Sequence, residues 1–209
     1  TFGSTVAASK LIGLNSNACA EAIGIAATQA AGLKSMFGTM CKPLHAGKAA
    51  QNGLFAAQLV ARGFGSRADI LECNQGFAHT QSENTNLESA LQNQGEYFEV
   101  NDVLFKYHAS CYMTHSTIEA IQNIIKKSKI NHAAISSIKI NVASGCLDVC
   151  GIEMPKSGLE AKFSLKFCAA AACMGWDTSQ LLTFSDECVS DPILVGLITN
   201  TQVVEKSSL

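Results

Sequence analysis

The strongest constraint on the fold is a run of small residues at helical spacing near the start of the chain. Within the segment 18–31, these residues are Ala20, Gly24, Ala27 and Ala31. A helix with such a face lets a neighbouring helix approach closely. The preceding Asn15, Ser16 and Asn17 are typical N-cap residues. The first part of the chain is therefore predicted to be a compact helical domain.

Composition narrows the classes of function. Apolar residues make up 47% of the 209 residues and charged residues 15%, so a substantial core can form. The net charge is −2 and there is no basic block, which argues against nucleic acid as a partner. No apolar run reaches the length of a bilayer span, so we expect no membrane partner. The low charge also indicates that a partner chain or further sequence covers part of the surface.

The nine cysteines do not follow a disulfide framework. Cys146 and Cys150 are four residues apart, but there is no matching second pair, so no metal is predicted and a cysteine-ligated metal is only a third alternative. No secretory signal opens the printed sequence. This cysteine usage indicates a reducing compartment, namely the cytoplasm, with the mitochondrial matrix as the alternative in a eukaryote.

The pattern changes after the polar stretch 72–94. Val100, Val103 and Phe105 predict a strand. Isoleucines at helical spacing predict a helix from Ile118 to Lys129 that Thr114 or Ser116 can cap. Further predicted elements are a strand over 138–142, a buried helix over 159–174, a helix that begins at Asp191-Pro192 and a strand over 201–205. The predicted fold class is mostly α plus α+β, with a helical part over residues 1–97 and a small α+β domain over 98–209.

Two groups of basic residues are candidates for a binding site. The first contains Lys42, His45 and Lys48. Pro43 suits the first turn of a helix, and the alanine-rich run 49–62 follows it. Lys42 is thus predicted to precede a helix N-terminus, where backbone N–H groups and the helix dipole favour an anion. A solvated turn is the alternative interpretation of this segment.

The second group contains Lys106, His108 and His115, with Tyr107 and Cys111 between them. A cleft between the two halves of the chain would bring both groups together. Lysines at its rim would bind carboxylates, and histidine could move protons near neutral pH. A hydrogen-bonded structural role is the alternative for each histidine taken alone.

Four stretches, in order along the chain, resemble the MmgE/PrpD family. They are Thr1–Leu14 (TFGSTVAASKLIGL), Lys42–Gly53 (KPLHAGKAAQNG), Lys106–His115 (KYHASCYMTH) and Pro155–Ser164 (PKSGLEAKFS). The family contains 2-methylcitrate dehydratases, cis-aconitate decarboxylases and iminodisuccinate epimerases. Its chains are more than twice as long, so the resemblance implies that this chain is a fragment without the N-terminal and C-terminal parts.

The resemblance also implies a helical domain with an α+β lid, a homodimer, and chemistry without metal or organic cofactor. Lys42 and Lys106 match lysines of the family's active site and are predicted to be catalytic. The predicted residues that bind a small carboxylic acid substrate are Lys42, His45, Lys106, Cys111 and His115.

The predicted activity is that of a cofactor-independent lyase similar to 2-methylcitrate dehydratase, which removes a proton next to a carboxylate and releases water. The resemblance implies that Cys111 stands where the family's decarboxylases have a histidine, and that Phe167 stands near a position that is tyrosine in them, so both residues argue against decarboxylation. Decarboxylation of cis-aconitate and epimerisation of iminodisuccinate are alternatives. A truncated, non-catalytic dimerisation or binding remnant is the alternative from another class.

Overall fold

A computed structural model of the chain describes residues 1–92 and 94–207. Asn93, in the polar stretch, and Ser208 and Leu209, at the end of the predicted second domain, lie outside the described residues. The chain divides into two compact units. The first contains Thr1–Leu33 and Cys41–Val103, and the second contains Lys34–Met40 and Leu104–Leu209.

The first unit is helical. Its helices are α1 (Phe2–Leu11), α2 (Ser16–Ala27), α3 (Cys41–Ala61), α4 (Phe77–Gln81) and α5 (Leu87–Ala90), and a 3-10 helix spans Glu99–Asp102. The long helices α1, α2 and α3 pack on one another around Ile25, Ala26 and Ala56. The side chain of Asn15 caps α2 by accepting a hydrogen bond from the Ala18 N–H at 2.9 Å. The prediction of closely packed helices is confirmed.

Helix α1 approaches α3 at Gly53. A Cβ atom on Gly53 would lie 2.6 Å from the backbone nitrogen of Thr5 and 2.8 Å from the carbonyl oxygen of Thr1. The Ser4 hydroxyl donates a hydrogen bond to the Ala49 carbonyl oxygen at 2.9 Å across the same contact. Glycine is required here because the backbones of the two helices occupy the space of a side chain.

The second unit combines helices with a small parallel sheet. Its elements are α6 (His115–Ser128), β1 (Ile138–Ala143), α7 (Leu147–Cys150), α8 (Gly158–Ala161), α9 (Leu165–Cys173), α10 (Asp186–Val189), α11 (Pro192–Thr199) and β2 (Thr201–Lys206), with 3-10 helices over Lys34–Met36, Tyr112–Thr114, His132–Ala134 and Leu181–Phe184. Strands β1 and β2 pair in parallel, with Ile138 opposite Thr201. This confirms the predicted fold class of mostly α plus α+β.

Helix α9 forms the centre of the second unit. All its residues except Lys166 are buried. Ile118 of α6 and Leu194 and Ile198 of α11 pack in the same core. The amphipathic α6 ends as predicted, because Lys129 follows it in a left-handed conformation with φ 52°. The apolar side of α6 therefore packs against the buried helix α9.

The single helix predicted over 159–174 is wrong, because α8 and α9 are separate. The carbonyl oxygen of Lys162 accepts a hydrogen bond from the Cys111 N–H at 2.9 Å, and that of Phe163 accepts one from the Ile152 N–H at 3.3 Å. Ser164 then caps α9 by accepting from the Phe167 N–H at 3.1 Å. The helix is interrupted because distant backbone donors take the carbonyl groups that a continuous helix would use.

The predicted strand at Val100, Val103 and Phe105 is also wrong. The local backbone forms turn bonds instead, such as that from the Asn101 N–H to the Phe98 carbonyl oxygen at 2.9 Å. All three apolar side chains are exposed. No strand of the described residues pairs with this segment, so its β-branched and aromatic residues do not form a ladder.

Candidate functional site

The second basic group contains two buried imidazole rings. The rings of His108 and His115, here called the histidine pair, have centroids 4.9 Å apart and planes at 76°. Their exposed fractions are only 9% and 6%. The hydroxyl of Thr178 lies 2.7 Å from Nδ1 of His108, and the ring of Tyr112 lies 5.0 Å from that of His115. Both rings are therefore held in place by packing and by a hydroxyl group.

Backbone hydrogen bonds hold the segment Lys106–Thr114, here called the motif loop, against the core. The Ala109 N–H donates to the Thr178 carbonyl oxygen at 2.8 Å. The Cys111 N–H donates to the Lys162 carbonyl oxygen, at the interruption between α8 and α9. The motif loop is thus anchored at two points that are distant in sequence.

Thr114 occupies the N-cap position of α6, as predicted, but its side chain does not cap the helix. Its hydroxyl lies 2.7 Å from that of Ser110 and donates to the Cys111 carbonyl oxygen at 2.8 Å. The hydroxyl pair therefore stabilises the turn of the motif loop, and His115 begins α6 directly after it.

Each ring of the histidine pair has a nitrogen without a hydrogen-bond partner among the described residues. These atoms are Nε2 of His108 and Nε2 of His115, and both are buried. A buried polar atom without a partner costs about 1–3 kcal/mol. A water molecule or a ligand oxygen at this position would recover that free energy. The two nitrogens are therefore the atoms of the histidine pair that are left to contact a polar group from outside the described residues.

Lys106 adds positive charge to the same group. Its ammonium donates a hydrogen bond to the Ser110 carbonyl oxygen at 3.1 Å. The pKa of His115 lies below its ordinary value, first because burial disfavours the charged ring, and then because the charges of His108 and Lys106 repel a proton. Backbone hydrogen bonds with His108 and Ser110 oppose this shift. The lowered pKa favours the neutral form of the His115 ring, unless an anion lies close to it.

This lowered pKa makes stability depend on pH. In the unfolded chain the histidine titrates near its ordinary pKa of about 6.5. Below that pH the histidine is protonated in the unfolded chain but still neutral in the folded chain. The free energy of unfolding therefore decreases as the pH falls from the unfolded pKa to the folded pKa. The urea midpoint, followed through the fluorescence of Trp176, should therefore fall between pH 7.5 and 5. His115→Gln should reduce that slope, and an unchanged slope would contradict the shift.

The first basic group lies on α3 of the first unit. Lys42 is the second residue of this helix, so the prediction that it precedes the helix is wrong. Pro43 is compatible with this start because N–H groups of a first turn have no partner within the helix. Lys42 is exposed and His45 is half-buried, and a Cβ on Gly32 would lie 3.3 Å from Nδ1 of His45. The cleft shared with the second group stays a prediction.

Two further residues, Phe167 and Thr178, bear on the site that the sequence predicts. Phe167 is fully buried and its ring lies 5.6 Å from that of Phe184, so it is a core residue. Thr178 was missed, because it lies 70 positions from His108. The only local signal is the polar turn in which Asp177 accepts hydrogen bonds from the backbone and hydroxyl of Ser179.

The described residues contain neither a group of metal-binding side chains nor a helix that could span a membrane. In residues 1–92 and 94–207, no three or more His, Cys, Asp or Glu side chains are grouped as a metal ion would require. None of the helices in this part of the chain is both long and apolar enough to cross a bilayer.

Comparison with known proteins covers both units. The model of the MmgE/PrpD N-terminal domain matches residues 1–90, and that of the MmgE/PrpD C-terminal domain matches residues 108–209. Cis-aconitate decarboxylase of Aspergillus terreus is 28% identical over 181 residues, which are 79% of this chain and 37% of that protein. Cis-aconitate decarboxylase of Homo sapiens is 32% identical over 127 residues, which are 60% of this chain and 26% of that protein.

The enzyme of the same name from Mus musculus is 31% identical over 131 residues, again 60% of this chain and 26% of that protein. The chain thus spans between 26% and 37% of the length of these three relatives. Both domain models match in the order of the family, and together they cover most of the chain. The resemblance to the family is confirmed, and the chain belongs to the MmgE/PrpD family.

Proposed function

We propose that this chain is part of a lyase that acts on a tricarboxylic acid, and that its reaction is the decarboxylation of cis-aconitate. The carrying observation is the histidine pair, whose two Nε2 atoms lie buried in the same motif as Lys106 and have no partner in the part of the chain that the structure describes. The names of the three relatives support the choice of reaction. The active form is proposed to be a cytoplasmic homodimer.

The chemistry of decarboxylation assigns a role to each of these groups. When carbon dioxide leaves, its bonding electron pair remains on the substrate, and a proton must be delivered to it. The ammonium of Lys106 would bind a carboxylate that stays on the substrate and stabilise the developing negative charge. A histidine with a pKa below its ordinary value can accept a proton near neutral pH and return it, so His115 is the proposed proton carrier.

His108 is a positioning residue in this proposal. Its Nδ1 is occupied by the Thr178 hydroxyl at 2.7 Å, so only its Nε2 can face a ligand. The edge of one imidazole against the face of the other keeps His115 from rotating. A carboxylate oxygen near the pair would favour protonation of either ring, because an opposite charge raises the pKa of a histidine. Substrate binding would thereby favour the protonated histidine that delivers the proton in the reaction.

Dehydration of 2-methylcitrate is the second candidate. The resemblance described above supports it, because that resemblance implies that Cys111 stands where the family's decarboxylases have a histidine. Cys111 lies in the motif loop between Ser110 and the start of α6, five residues after Lys106. A thiol is a weaker hydrogen-bond donor than an imidazolium, so this position offers less help to a departing carboxylate.

An assay of substrates decides between these candidates. The longest natural chain that contains this sequence, and the 209-residue chain beside it, would be incubated with cis-aconitate, 2-methylcitrate, citrate and iminodisuccinate. Products would be identified by NMR. We expect loss of carbon dioxide from cis-aconitate. Loss of water from 2-methylcitrate alone would favour the second candidate, and binding without turnover by the longest chain would favour a non-catalytic remnant.

A further inference from the structure

Thr178 contacts the motif loop at two points. Its hydroxyl lies 2.7 Å from Nδ1 of His108, and its carbonyl oxygen accepts a hydrogen bond from the Ala109 N–H at 2.8 Å. Thr178 is only 1% exposed. One buried residue therefore holds both a ring of the histidine pair and the backbone beside it, and only the contact with the ring depends on the threonine side chain.

The turn that carries Thr178 is held by its own hydrogen bonds. The Asp177 carboxylate accepts from the backbone N–H and the hydroxyl of Ser179, at 3.0 Å and 2.6 Å. The Asp177 carbonyl oxygen accepts from the Thr183 hydroxyl at 2.6 Å. None of these bonds involves the histidine, so the turn itself places the Thr178 hydroxyl against the ring of His108.

The direction of the hydrogen bond between Thr178 and His108 follows from the donors available. A neutral imidazole carries hydrogen on only one of its nitrogens. If that nitrogen were Nδ1, it would donate to the Thr178 oxygen, and the Thr178 O–H would need another acceptor. The part of the chain that the structure describes offers the hydroxyl no second partner. Because a buried donor without an acceptor is costly, the O–H donates to Nδ1 and the ring hydrogen lies on Nε2.

This tautomer suits an anion at Nε2 of His108. The atom is buried and has no partner among the described residues, and an N–H group there would donate to a carboxylate oxygen. A metal ion would need the lone pair of that nitrogen instead. With the opposite tautomer, the hydroxyl hydrogen and the Nε2 lone pair would both lack partners, and a carboxylate would satisfy neither of them. The donor arrangement is therefore completed by a carboxylate.

We propose that Thr178 is a positioning residue that fixes His108 as an Nε2–H donor to a substrate carboxylate. The two rings of the histidine pair then have different tasks. His108 donates a hydrogen bond and keeps its hydrogen, whereas His115 transfers the proton. The assignment of the tautomer stands without the proposed function, and the role in carboxylate binding rests on it.

The contact with Thr178 also explains why the two histidines would not exchange these tasks. With hydrogen on Nε2, a second proton could reach His108 only at Nδ1, which the Thr178 hydroxyl occupies at 2.7 Å. His115 packs against His108 and against the ring of Tyr112, and these ring contacts leave its choice of tautomer open. His115 is therefore the ring that can gain and lose a proton during the reaction.

Nitrogen NMR tests the tautomer. The longest natural chain that contains this sequence would be labelled with 15N-histidine and measured at about pH 8, above the ordinary pKa of histidine. The signals of His108 are those that His108→Gln removes. We expect hydrogen on Nε2 alone, because the Thr178 hydroxyl donates to Nδ1.

Variants of the turn provide the comparison. Thr178→Val keeps the shape of the side chain and the backbone bond to Ala109, and it should let a second population with hydrogen on Nδ1 appear. Thr178→Ser should restore the single form. Thr183→Val, which removes a hydroxyl that donates to the Asp177 backbone, should leave the His108 signals unchanged. Hydrogen on Nδ1 of His108 in the unmodified protein, or no difference between that protein and Thr178→Val, would overturn the assignment.

Kinetics test the effect on the site. In the longest natural chain, Thr178→Val should raise KM for cis-aconitate about tenfold and leave kcat almost unchanged, because a hydrogen bond to a charged group is lost from the bound substrate and the transition state alike. Thr178→Ser should recover the original KM. A loss confined to kcat, or no recovery with serine, would overturn this part. Absence of both turnover and cis-aconitate binding in the unmodified protein would instead overturn the proposed function, while the nitrogen signals still decide the tautomer.

Discussion

Replacement of Lys106 by methionine should reduce kcat/KM for cis-aconitate by about a hundredfold or more in the longest natural chain, as loss of a single charge-stabilising group does in other enzymes. Methionine keeps much of the length of the side chain but removes the ammonium. That ammonium is hydrogen-bonded to the Ser110 carbonyl oxygen, and its charge contributes to the lowered pKa of His115. The variant therefore removes a group that would bind a substrate carboxylate. It also removes one of the charges that lower the pKa of His115, the proposed proton carrier.

The control and a second measurement separate this role from a general loss of charge. Lys126→Met changes an exposed lysine in the last turn of α6, about 16 Å along the helix from His115, and should leave kcat/KM unchanged. NMR titration should show a higher pKa for His115 in Lys106→Met, because one repelling charge has gone. Full activity of Lys106→Met, or an equal loss in Lys126→Met, would contradict the assignment.

Gly158→Ala should lower the free energy of unfolding by about 3 kcal/mol or more, because a side chain forced into a filled space strains its surroundings. A Cβ there would lie 1.9 Å from the Phe184 carbonyl oxygen and 3.0 Å from Cα of Ser185. The backbone cannot move aside easily, because the Gly158 N–H donates to the Asp186 carboxylate at 2.7 Å. Ser185 caps α10 beside this contact by accepting from the Cys188 N–H at 3.2 Å.

Gly196→Ala is the matched control for this stability measurement. Gly196 is an exposed position inside α11, and a Cβ there would meet nothing within 4 Å. Alanine should therefore stabilise the helix by up to about 1 kcal/mol. Urea unfolding followed through Trp176, the only tryptophan of the chain, reports on the second unit in both variants. Equal stability of the two variants would contradict the close approach at Gly158.

Elements that depend on local periodicity were predicted with the correct type, although α2 ends at Ala27 and leaves Ala31 of the predicted face outside the helix. The small face of α2 and the isoleucine spacing of α6 indicate helices whose one side must be buried. The alternation from Ile138 indicates a strand, and β1 pairs with the predicted C-terminal strand β2. These patterns lie within single elements, so the neighbours that eventually cover them do not need to be known.

Elements that depend on distant partners were predicted wrongly. The helix over 159–174 is interrupted because the Cys111 N–H takes the Lys162 carbonyl oxygen from another part of the chain. The strand at Val100–Phe105 fails because no described strand lies beside it. Lys42 was placed outside α3 because proline suggested a later start, although an N–H group is not needed in the first turn.

The sequence by itself determined the family, the closely packed helical part, and the presence of Lys106, His108, Cys111 and His115 in one short motif, because these depend on residues that are near one another along the chain. Only the tertiary structure decided that the histidine pair is buried, with two nitrogens that have no partner among the described residues, and that Thr178 fixes one ring. It also decided that Cys111 packs against the core cluster that contains Cys146 and Cys150. The physical reason is that burial and hydrogen bonding are set by groups brought together from distant positions, and no local pattern carries that information.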